Sequence, residues 1–176
     1  LDALEAAAEA VGGRLVDDPF LVRENLGLVE EPHVICGSFD EGFLELPDEV
    51  IVEVMRGHQR YFALRDEGGR LMPRYLAVVH TPKAPEIITR GNDRVLRARL
   101  ADAAFFVRED LAVGLERFVP QLHDVVFQAE LGSVGERGAR LARVVGALGD
   151  DGPAAEAARL CKADLVSLIV GEFPEL

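Results

Sequence analysis

The sequence predicts an α+β fold, with a mixed α/β N-terminal half at residues 1–90 and an all-helical half at 91–176. Three observations carry this. Short β-rich runs and a hairpin signal crowd the first half. From about residue 92 the apolar residues recur at helical spacing. Hydrophobic residues make up 49% of the 176 and charged residues 28%, the balance of a chain that buries a core.

The elements follow in order. Leu1, Leu4, Ala8 and Val11 share one helical face, and Gly12-Gly13 ends that helix. "GRLV" is a short strand. Asp18-Pro19 is a cap followed by a first-turn proline, and it starts a helix running to about Glu30. "HVICGSF" is a buried strand. "FLELP" leads into a helix over "PDEVIVEVMRGHQ", with acids where the helix dipole favours them. "RYFAL" and "RLMPRYLAVVH" flank the turn "RDEGG" as a hairpin, and Pro73 predicts an edge position or a bulge. Asn92 is an N-cap candidate. Leu96, Leu100, Ala103, Val107 and Leu111 then form a core-facing stripe. Further helices are expected at 112–127, 134–149 and 153–170, broken by "LGS" and "GDDGP".

No apolar run approaches the roughly 18–20 residues that span a bilayer, and the acid-bearing start is not a signal peptide. Cys36 and Cys161 are far apart, which reads as two free thiols in a reducing compartment. The chain opens on Leu1 and stops at "GEFPEL" just after an apolar pattern, as a fragment of a longer protein would.

The formal net charge is −12. Net charge alone argues against nucleic acid, but the distribution reverses that. Residues 54–100 hold ten basic side chains against four acids, and nine of the ten are Arg. Arg suits bidentate phosphate contact, although only two of the chain's 19 basic residues are Lys, so Arg is also its habitual cation. Arg90, Arg94 and Arg97 fall at i, i+4, i+7, off the apolar stripe, and form a row. They are either a solvated face, with Arg97 and Arg99 paired to Asp93 and Asp102, or a seat for an anionic ligand.

Other motifs are thinner. His123-Asp124 invites a metal-dependent phosphohydrolase reading, but such a site needs several converging ligands. The chain has only His33, His58, His80 and His123. His58 is a general-base candidate with no nucleophile beside it in sequence. "GSVGERG" lacks the Lys-Ser/Thr of a phosphate loop, and "CKADL" has no second cysteine in reach.

Several stretches in order, "FDEGFLELPDEVIVEVMRGHQRYF", "GNDRVLRARLADAAFF", "VVFQAELGS" and "CKADLVSLIVGEFPEL", resemble the β subunit of bacterial glycyl-tRNA synthetase, the α2β2 type. The resemblance implies an internal segment of a longer cytoplasmic subunit, part of an ATP-dependent ligase. It implies that glycine activation, with ATP and Mg2+, belongs to the α subunit and that this segment holds no cofactor. The implied partners are tRNA(Gly), the α subunit and a second β subunit, with neither DNA nor membrane. Residues 1–90 would resemble a B3/B4 editing-type domain, and 91–176 a degenerate HD-like domain truncated at its C-terminus. Its metal site would be dismantled: Ala163 stands where a second His belongs, leaving Asp164, and no His falls near Glu136-Arg137. The residues expected to face RNA are Arg60, Arg90, Arg94, Arg97, Arg99, His58 and Tyr61, at the acceptor arm. The alternatives are an HD-type phosphohydrolase, a set of arginines tied internally to the acidic N-terminal half, or a scaffold for subunit assembly.

Overall fold

The computed structural model describes residues 1–149 and 152–176. Two compact units emerge, Leu1–Ala104 and Phe105–Glu175. The protein is α+β, as the alternation of patterns predicts.

The first unit is a four-stranded antiparallel sheet with helices on both faces. Its order is β1-β3-β4-β2, with β1 Arg14–Leu15, β2 His33–Ser38, β3 Phe62–Arg65 and β4 Leu71–Val79. The helices are α1 Asp2–Ala10 and α2 Pro19–Leu28, the latter capped by the Asp18 carboxylate on the Leu21 N–H at 2.8 Å. Leu4, Ala8 and Leu21 from these helices pack on Phe62, Leu64 and Leu76 from one sheet face. Strand side chains alternate, so Ala63, Tyr75 and Ala77 point to the other face, where they are buried.

On that second face lies α4, Pro85–Val113. It is fixed by one carboxylate. Asp93 Oδ1 accepts the Tyr75 hydroxyl at 2.8 Å and the Ser38 backbone N–H at 3.1 Å. Ser38 ends β2, an edge strand, so Asp93 also satisfies an outward ladder donor. The Tyr75 ring can reach Asp93 because its cross-strand partner is Gly37: a Cβ there would overlap the ring. Tyr61 stacks on Tyr75 with centroids 4.4 Å apart. Leu96 and Leu100 of α4 are fully buried, completing this layer.

Several expectations need correction. Asn92 does not cap α4; the helix starts seven residues earlier at Pro85, after Ala84 takes a left-handed φ of 50°. A proline at the first helical position was the overlooked signal, and Gly91 is carried inside the helix. The expected 47–59 helix forms as α3 Asp48–Glu53, then widens into a π-helical turn, Val54–His58. Pro73 sits on a central strand, where the β3–β4 register shifts, so the bulge reading holds and the edge reading does not.

The second unit begins on the last turns of α4. Gly114, at φ 80°, ends the helix, and α5 Leu115–Phe118 runs into a 3₁₀ turn, Val119–His123. The expected helix at 112–127 is therefore broken into short helical pieces, and its end is strand. β5 Val126–Gln128 pairs with β6 Gly132–Ser133, so this half is not all-helical. β-branched Val125 and Val126 favour the strand. Ser133 then caps α6 Val134–Ala147 in a full capping box with Glu136. The predicted break at "GDDGP" includes Asp150 and Asp151, which lie outside the described residues. The last expected helix is three pieces: α7 Pro153–Leu160, a 3₁₀ turn Ala163–Val166, and α8 Leu168–Glu172. Asp110 of α4 holds α8, its two carboxylate oxygens each accepting a backbone N–H, from Leu168 and Ile169, at 2.9 Å.

Gly37→Ala should destabilise the first unit by about 2 kcal/mol, because the new methyl overpacks the Tyr75 ring; urea denaturation of the variant measures it. Burial is the main cause that pushes the Tyr61 phenol up to about 12. Burial and the bond to Asp93 lift Tyr75 well above the ordinary range. Both stay protonated when folded, whereas unfolded phenols ionise near pH 10. Stability should therefore be full below about pH 10 and fall above it, with Tyr61's share levelling off past about 12. Denaturation midpoints at pH 9 to 11 test this, and Tyr75→Phe should flatten the loss.

Candidate nucleic-acid interface

The site rests on the outward side of α4 within the first unit. With Leu96, Leu100 and Asp93 facing the sheet, Arg90, Arg94 and Arg97 point into solvent, and all three are exposed. The row spans about 10 Å of helix axis. Arg90 Nε donates to the Glu86 carbonyl at 3.2 Å, within its own helix. Among the described residues neither Arg94 nor Arg97 meets a carboxylate. Asp93, the sequence-level partner for Arg97, turns to Tyr75 and Ser38 instead. Ala98 and Ala101 are exposed small residues on the same outward surface.

Four other arginines of the 54–100 band behave differently. Arg56 Nε pairs with Asp18 at 2.9 Å, Arg60 Nε with Glu24 at 2.8 Å, and Arg65 with Asp48 at 2.6 Å. Arg70 pairs with Asp66, whose carboxyl is held below the usual range by the Arg70 backbone N–H. These arginines are tied into the acidic N-terminal half. Arg60 also folds back onto the Arg56 and Gly57 carbonyls from a left-handed φ of 59°.

The seven residues expected to face RNA are thus not brought together. Arg90, Arg94 and Arg97 share an exposed face. Arg99 is half-buried and engaged, and His58, exposed at the end of the π-helical turn, is engaged as well. Tyr61 is only 6% exposed, a core ring rather than a stacking surface. Tyr61 and its neighbour Phe62 are both buried, because the sheet is covered on both faces. The positioning residues Gly37, Tyr75 and Asp93 were not singled out as a set. The one signal for them was Asp93 lying three residues before Leu96, on the core side of the stripe.

The remaining motifs stay apart. His123 is exposed with its ring against Gly135, and Asp124 beside it is exposed. Ala163 is buried and Asp164 exposed. Among the described residues no three His, Cys, Asp or Glu side chains cluster as metal ligands, and no helix is long and apolar enough to cross a membrane. A cavity of about 770 Å³ beside α1 is lined by five acids, Glu5, Glu9, Asp17, Asp18 and Glu67, against the single Arg14, a balance that disfavours an anion there.

The sequence relationships match this scaffold to known proteins. The family described as the glycyl-tRNA synthetase beta subunit matches residues 1–176. A glycine–tRNA ligase beta subunit of Desulforudis audaxviator is 48% identical over 184 residues, covering 99% of this chain and 27% of that protein. The corresponding proteins of Rhodospirillum centenum and Desulfatibacillum aliphaticivorans are 47% and 44% identical, covering 100% and 99% of this chain and 26% of each relative. The chain is thus of the aminoacyl-tRNA synthetase class. It belongs to the glycyl-tRNA synthetase beta subunit family, and spans about a quarter of the length of the curated relatives it matches.

Millimolar Mn2+ or Mg2+ should leave the thermal midpoint of this chain unchanged, since a folded-state ligand raises it by mass action; calorimetry with and without metal, alongside a phosphoester-cleavage assay, checks this.

Proposed function

We propose that this chain is the part of a glycine–tRNA ligase β subunit that presents the Arg90–Arg94–Arg97 row to the acceptor arm of tRNA(Gly). The observation that carries the reading is the row's exposure without carboxylate partners, in a unit where Arg56, Arg60, Arg65 and Arg70 are paired. Guanidinium groups so placed meet phosphate oxygens of A-form RNA and fix its position without reading sequence. Tyr61 drops out of this reading because its ring is buried, and base stacking drops out with it.

In this reading the segment is not the site of glycine activation. That step, with ATP and Mg2+, falls to the α subunit in a cytoplasmic α2β2 assembly. Residues 1–90 serve as a B3/B4-like scaffold, and 91–176 as an HD-like one without a metal site. A second reading, internal pairing, is favoured for Arg56, Arg60 and Arg65 by their carboxylate partners. Those three act as ties rather than as RNA contacts.

Reversing Arg94 and Arg97 to Glu in the full-length subunit should weaken tRNA binding. It should also flatten log K against log salt by about two, at roughly 0.9 for each phosphate no longer neutralised. Melting should stay near the parent value, because both side chains are exposed. An unchanged affinity with a large drop in melting temperature would instead assign the row to structure.

A further inference from the structure

The second unit leaves a line of large apolar side chains in water. Leu141 and Val144 of α6, and Leu148 at its C-cap, are exposed by 37%, 57% and 82%. Their spacing of three and four places them on one helical face, about 10 Å long. One turn earlier on the same face, Arg137 lies over the Phe127 ring of β5 at 4.4 Å, so the line continues onto the ribbon. Isolated exposed apolar residues are ordinary; a contiguous stripe marks a covered surface.

The stripe has a charged border. Arg140 and Arg143 follow Arg137 at three-residue spacing. Arg140 donates to the Leu131 carbonyl at 3.0 Å, and among the described residues none of the three pairs with a carboxylate. RNA would answer the arginines but not the leucines and valine. A helix with an aliphatic face and Asp or Glu along one edge answers both. The relatives carry roughly three quarters of their length outside the region matched here, length enough to supply that helix within one polypeptide.

We propose that the Leu141–Val144–Leu148 stripe seats an acid-edged amphipathic helix from the remaining length of the same β subunit. Thiol labelling of Val144→Cys and Leu148→Cys in the full-length subunit, in a Cys161→Ser background, tests it. Both should be protected in the isolated native subunit and react at least about 100-fold faster once it is unfolded. Immediate labelling of the native subunit overturns the proposal. So does protection that appears only on adding the α subunit, only on adding tRNA, or only at concentrations where β self-associates. These outcomes assign the stripe to another chain, to RNA or to a second copy. Should the cysteine variants fold poorly, Leu148→Asp in the full-length subunit gives a second measure. It should lower the melting temperature, whereas Leu26→Asp, at a position 75% exposed in the first unit, should not. Equal small effects at the two positions overturn it as well.

Discussion

The first unit turns on the carboxylate of Asp93. It is one acceptor shared by two donors of different origin: a tyrosine hydroxyl rising from the middle of the sheet and a backbone N–H at the end of an edge strand. Hydrogen bonds to an ionised group are the stronger kind, and this pair fixes both the rotation and the axial position of α4. Leu96, Leu100 and Ala103 of α4 are buried by apolar contact, which is non-directional. Asp93 adds the directional bonds, and in that setting the arginines at 90, 94 and 97 face water. The arrangement reaches back to a residue with no side chain, since Gly37 leaves the space in which the Tyr75 ring lies.

The arginines of this protein divide by what their local backbone offers. Arg56, Arg60 and Arg65 stand on the α3 extension, just after it and on β3, close to Asp18, Glu24 and Asp48. Each pair is partly exposed, so each contributes modestly to stability; their combined effect is to consume the nearby acids. Arg94 and Arg97 lie on a helix whose one well-placed acid is already committed to the sheet. On the outward face of α4, positive charge survives because the fold has withheld that acid. That explains how a chain of net charge −12 can carry a locally cationic surface.

The sequence showed the architecture more plainly than the site. Caps and turns with a local mechanism were legible: Asp18-Pro19 for α2, "RDEGG" for the β3–β4 turn, Ser133 before α6. Failures came where two local signals competed. Asn92 has the chemistry of a cap, but Pro85 starts the helix seven residues earlier and Asn92 falls inside it. In the second half, helical periodicity ran on through Gly114 and Pro120, and β-branched valines became a ribbon. For the site, the row itself followed from spacing along one helix. Which arginines were paired did not, because Glu24 and Arg60, or Asp48 and Arg65, are brought together only by the sheet. Tyr61 is buried rather than exposed for the same reason: burial on both faces is a property of the layers, not of the strand.

The two halves use the long helix α4 in the same way. Asp93 receives donors from the sheet in the first unit, and Asp110 receives the exposed N–H groups of α8 in the second. Each is an acid projecting from a helix interior into a place where backbone donors would otherwise lack partners, a role Asp fills well because its short side chain is nearly rigid. Charge alone would count both as part of the acidic excess. Their geometry makes them structural, which leaves the outward face of α4 in the first unit to the arginines.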